Sequence, residues 1–167
     1  MEKRLARGAM LASTIGLLLG ATVPETVAGG GKALVGSYTL AKRLTKDGKT
    51  LTGSELVGFM TFTKTRRTVI MRWPGPEATP VSIAFIAAYT LSGQKYCESI
   101  TYGVQSTLGA PGVSYDTPSE TKTCTTAFSD ASGLSFDVPN EPLRFRVGRD
   151  GIIATAPGWT DYWERVK

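Results

Sequence analysis

The first chemical fact in this sequence is a missing side chain: its 167 residues contain no histidine. That removes Ser–His and Cys–His activation of a nucleophile, and with them the commonest transition-metal ligand. Two cysteines, Cys97 and Cys124, could join carboxylates around zinc, but they lack the paired spacing of such sites, and we expect no metal and no cofactor. The carboxylates Glu55, Glu98, Glu120, Asp137, Asp161 and Glu164 occur singly, so nothing in their spacing marks an acid/base pair. "GAPG" and "GRDG" lack the Gly-x-x-x-x-Gly-Lys pattern of a phosphate loop and read as turns.

Glu98 is the carboxylate with most to say. Along "KYCESITYG", strand alternation puts Tyr96, Glu98, Ile100 and Tyr102 on one face and Cys97, Ser99, Thr101 and Gly103 on the other. The aromatic face should point inward and carry Glu98 with it, where a carboxylate needs a partner. Leu143, Phe145 and Val147 should take the inner face of their strand and turn Arg144 and Arg146 outward. That leaves Arg72 as the candidate cation, unless Glu98 sits in water at a rim. The inner faces supply candidate cavity residues: Phe62, Met71, Phe85, Tyr89, Ile100, Tyr102, Phe136 and Phe145. Apolar side chains with two phenolic handles have the composition of a ligand pocket, and equally that of a plain core.

The elements that must hold these residues are mostly strands. Short runs of Thr, Val, Ile and aromatics predict strands near 35–44, 56–64, 68–73, 94–106, 120–129, 134–138, 142–147, 151–156 and 159–166. The breaks at "KDGK", "KTRR", "SDASG", "PNEP" and "GRDG" mostly carry the residues that turns need. "TPVSIAFIAAYTLSG" stands apart, with Thr79 and Pro80 as a helix start and Gly93 as a stop; these signals predict a helix of about three turns.

The N-terminus reads as an export signal. Lys3, Arg4 and Arg7 precede the apolar "GAMLASTIGLLLGATV", and "TVA" offers small residues for cleavage near Ala28. The run falls short of the roughly 20 apolar residues of a spanning helix, so no stable membrane insertion is expected after cleavage. Residues 1–28 are then a signal peptide, 29–33 a flexible lead-in, and 34–167 one domain, in the periplasm or outside the cell. The full chain carries a net charge of +5, and its basic clusters "TKTRRT" and "RFRVGR" are too short for a nucleic-acid face. An exported chain favours joining Cys97 to Cys124, and a hairpin centred on "GAPG" would set them opposite each other. Closing that loop stabilises by about 3 kcal/mol in the chain-entropy picture; two unrelated free thiols are the alternative.

Nine short strands suit a sandwich or a barrel, and a barrel leaves no open edge. If the first and last strands pair, Arg165 can lie over the ring of Tyr38, a contact worth roughly 0.5–2 kcal/mol. Gly36-x-Tyr38 with Arg165 resembles the lipocalin signature, in which such residues close the barrel base. More closely, "LVGSYTL", "GFMTFTKTRRTVIMRW", "AAYTLSGQKYCESITYGVQS" and "YWERV" together resemble the bacterial lipocalin-like domain family over residues 34–166. Tyr38 stands where that family usually has Trp, and Tyr102 where it often has His, so no catalytic group is carried over.

The resemblance implies a closed antiparallel β-barrel of eight to nine strands with one short helix. It also implies non-catalytic binding of a small hydrophobic or amphipathic molecule; strand alternation adds Arg72 and Glu98 as polar members of the site. An isomerase or cyclase using Glu98 and Tyr102 is one alternative. The other is a filled barrel whose loop 108–120, with Val113 and Tyr115, binds a protein.

Overall fold

The computed structural model describes residues 33–109, 112–116 and 121–167. The expected signal peptide and nearly all of the lead-in lie outside these residues. So do Glu120 and part of the 108–120 loop.

The described chain is all β. Strands β1 (Gly36–Thr45), β2 (Thr50–Leu51), β3 (Val57–Phe62), β4 (Arg66–Pro74), β5 (Pro80–Ser92) and β6 (Lys95–Thr107) are followed by β7 (Val113–Asp116), β8 (Thr123–Asp130), β9 (Gly133–Asp137), β10 (Arg144–Val147), β11 (Gly151–Ala156) and β12 (Trp159–Arg165). Neighbouring strands pair in the order β12-β11-β10-β9-β8-β6-β5-β4-β3-β1, and β1 pairs back onto β12 to close an antiparallel barrel. Among the described residues the barrel has ten strands, not eight or nine, with β2 and β7 outside the ring. The excess arises partly because the apolar stretch expected as a helix is a strand.

That stretch, β5, shows why its helix signals misled. Pro80 opens the strand, where a missing N–H is tolerated. Gly93, at φ +57, is the first residue of a two-residue hairpin loop between Ser92 and Lys95. Its unbroken apolar run reflects an inner face of Val81, Ile83, Phe85, Ala87 and Tyr89 and an outer face that is apolar too. Outside the barrel, Phe59, Ile70, Ala84, Val104 and Tyr115 form one cross-strand row from β3 to β7.

Closure is concentrated at the base. Tyr38 lies opposite Arg165, whose guanidinium stands 4.8 Å from the centre of the phenol ring. Arg165 donates from Nη2 to the Tyr38 hydroxyl at 2.7 Å and to the Ala33 carbonyl at 2.6 Å, and from Nη1 to the Val35 carbonyl at 2.8 Å. The Tyr38 hydroxyl donates in turn to the Leu34 carbonyl at 2.8 Å. Gly36 is required beside them, since a Cβ there would land on the Arg165 guanidinium. Above this clamp six rings interlock: Phe62 meets Tyr38, Tyr89 and Phe145 edge-on, while Tyr96 stacks between Tyr89 and Phe136. Phe136 meets Phe145 at a centroid distance of 5.6 Å and completes the cluster.

Cys97 and Cys124 are directly opposite on β6 and β8 and form a disulfide. Disulfides of this kind persist in oxidising compartments. Among the described residues no helix is long and apolar enough to cross a membrane. Replacing both cysteines with serine should lower unfolding stability by about 3 kcal/mol, read from urea unfolding of wild type and variant. An unchanged midpoint would mean the bridge constrains nothing that unfolds.

Candidate functional site

On β3 the inward residues run Phe62, Met60, Gly58 from the base upward, and on β11 they run Ile152, Ala154, Ala156, so these two strands carry smaller side chains towards the loop end. Large rings fill the lower barrel, and a cavity of about 490 Å³ lies above them. Its walls are chiefly Met60, Val69, Met71, Ile83, Phe85, Leu143, Phe145, Ala154 and Trp163, with Trp73 and Trp159 towards the loop end. All three tryptophans of the chain line it.

Two arginines interrupt this apolar surface, and both are held by carboxylates. Arg43 on β1 donates from Nε to Asp161 Oδ1 at 2.6 Å and from Nη2 to Oδ2 at 2.8 Å. Its guanidinium stands 4.2 Å from the Trp159 ring centre and 5.3 Å from that of Trp73. Burial raises the Asp161 carboxyl above the ordinary range, against the opposing pull of Arg43. A β-bulge makes this pairing possible. Leu40 lies opposite Trp163, but Lys42 is already opposite Tyr162, so Ala41 is the extra residue and Arg43 rather than Lys42 turns inward onto Asp161.

Arg67 on β4 is the second. It is only 1% exposed and donates from Nε and Nη2 to Glu98 at 3.1 and 2.6 Å, with a further bond from Nη2 to Glu141 at 2.7 Å. Tyr96 donates its hydroxyl to the same Glu98 carboxylate. Phe85 and Phe145 lie 4.6 and 5.6 Å from the Arg67 guanidinium. Burial acts to discharge Arg67, but Glu98 and Glu141 outweigh it and hold the cation more firmly than usual. Every fully buried side-chain nitrogen and oxygen among the described residues has a hydrogen-bond partner.

The expected site residues divide sharply. Met71, Phe85 and Phe145 line the cavity. Phe62, Tyr89 and Phe136 belong to the aromatic cluster beneath it. Glu98 is buried and paired, as a carboxylate on an inner face must be, so it is not at a rim. Its partner is Arg67, not Arg72. Arg72 is adjacent to inward Met71, so alternation sends it outside, where it donates to the Ser54 carbonyl at 2.9 Å. Tyr102 is likewise outside and 46% exposed. On β6 a register shift opposite Ile86 and Ala87 inserts Thr101, so Ile100 stays opposite inward Ala87, half-buried, while Gly103 replaces Tyr102 on the inner face. Glu98 and Tyr102 therefore do not converge on one reacting centre. Val113 and Tyr115 are exposed on β7, and residues 110, 111 and 117–120 of their loop lie outside the described residues.

Arg67 was legible: alternation back from Met71 passes through Val69 to Arg67. Asp161 was legible too, two residues from Trp163 and four from Arg165 on one face. Arg43 was not, because a bulge leaves no mark in composition.

No family model, no curated protein and no solved structure matches this chain. The lipocalin-like resemblance rests on the residues quoted for it.

Two outcomes follow from these geometries. Arg43→Met alone should destabilise by about 3–5 kcal/mol by leaving Asp161 buried without its cation, whereas Arg43→Met with Asp161→Leu should recover most of the loss. Equal stability of single and double variants in chemical unfolding would refute that coupling. For alkaline stability, burial pushes Tyr89 up to about 12 and moves Tyr96 and Tyr38 upward as well. Phenols in the unfolded chain lose protons near 10 while the folded ones keep theirs, so the native state binds more protons and stability falls as pH rises through that value. Tyr89→Phe should make this decline shallower, measured as the urea midpoint between pH 8 and pH 11, on the order of one phenol's contribution.

Proposed function

We propose that this chain is an exported, lipocalin-like binding protein that holds a small hydrophobic or amphipathic molecule in the upper barrel without transforming it. The observation that carries this reading is the cavity of about 490 Å³ above a solid aromatic floor, open where a plain core would be filled. Its size and its mostly apolar walls with a few polar groups suit one small molecule. The disulfide fits export to the periplasm or beyond. The carboxylates in or beneath the cavity are engaged by guanidinium groups, which suits retention of a ligand better than proton transfer.

The direct test is native mass spectrometry of protein taken from its exported fraction, where an adduct that vanishes on denaturation is the expected result. Because every tryptophan lines the cavity, extraction and re-addition of that adduct should change the intrinsic fluorescence. Ala154→Phe, which projects a ring into the space, should weaken rebinding at least tenfold with the far-ultraviolet spectrum unchanged, on the order of the cost of one lost apolar contact set. Undiminished rebinding by that variant would place the ligand elsewhere.

A further inference from the structure

We propose that the cavity selects an uncharged, largely apolar molecule whose accepting oxygen, a ketone or ester carbonyl, docks on Nη1 of Arg43 beside Trp73 and Trp159. This rests on the reading of the cavity as a ligand site.

Nε and Nη2 of Arg43 are taken by Asp161, and Nη1 has no acceptor among the described residues. Yet no fully enclosed side-chain nitrogen lacks a partner, so this Nη1 must border open space. Arg43 is only 5% exposed and lines the cavity, which makes the cavity that space. A guanidinium N–H that faces the cavity with no protein acceptor is open to a ligand oxygen, which would form a charge-assisted bond with it. Nη1 of Arg67 likewise has no acceptor among the described residues, but two carboxylates already draw on the charge of Arg67, so Arg43 presents the stronger donor.

Charge then decides the class of acceptor. Arg43 is matched by Asp161 and Arg67 by Glu98 and the 32% exposed Glu141, so the polar set has no net positive charge to receive an anion. A ligand carboxylate would add an uncompensated charge among mostly apolar walls, which is disfavoured. An ammonium group would meet the free donors of Arg43 and repel them. A carbonyl oxygen accepts without bringing charge, and its apolar remainder matches Met60, Val69, Met71 and Ile83 below.

The test compares three chains of matched length, methyl octyl ketone, nonanoate and decylammonium, titrated against the full chain by tryptophan fluorescence at about pH 8, where the acid and amine are both charged. The ketone should bind about tenfold more tightly than either ion. The Arg43→Met, Asp161→Leu variant, which leaves no orphaned charge, should lose about tenfold in ketone affinity, or about 1.4 kcal/mol. Tighter binding of nonanoate or decylammonium would overturn the uncharged class and leave the cavity as a ligand site. Ketone binding unaltered in the double variant would overturn the role of Arg43. Failure of all three probes to bind would overturn the cavity reading itself.

Discussion

The barrel depends on one act of closure, the antiparallel pairing of β1 with β12. An open sheet of this length would leave two unpaired edges, each a row of N–H and C=O groups ready to join another chain. Pairing the ends removes both. The pairing is anchored at the base by Arg165, which binds the backbone of the incoming segment and the Tyr38 hydroxyl together. Gly36 leaves room for it. Higher on the same seam, Arg43 and Asp161 tie the two strands again in a drier setting. One seam thus carries a clamp at the base and a buried ion pair in the cavity wall.

Buried ion pairs are poor instruments of stability, since removing two charges from water consumes most of what their attraction returns. Their value here is positional. The Arg43–Asp161 pair holds a guanidinium between two indoles, where an alkyl side chain would leave nothing polar. Two strands along the ring, Arg67 is held between Phe85 and Phe145 and reaches out to Glu141, in the segment between β9 and β10. Each arginine is oriented by two-point contact with a carboxylate, which fixes the plane of the guanidinium as a single hydrogen bond would not.

Much of this was readable before any coordinates. Strand alternation placed Phe145 inward and required a partner for Glu98, and the symmetric spacing about "GAPG" set Cys97 against Cys124. What failed did so for local reasons. Arg72 stands next to inward Met71, and because neighbours on a strand face opposite ways it cannot reach Glu98. A bulge reverses the phase of β6 before Tyr102, and another reverses that of β1 before Arg43. Bulges are invisible to periodicity, since each one restarts the count without changing the residue types around it. The run in β5 was ambiguous because apolar residues cover both of its faces.

The division of the interior into a packed base and an open upper wall has a consequence for how such a protein changes over generations. The rings at the base are mutually packed, so a substitution there is felt by several neighbours and seldom survives. The upper wall borders empty space, and a change of one side chain there alters the shape of the void more than the fit of the core. Selection can therefore act on the two halves almost separately, conserving the lower one while the upper one drifts from one guest to another. A lineage built on this plan would diversify in specificity while its architecture stood still.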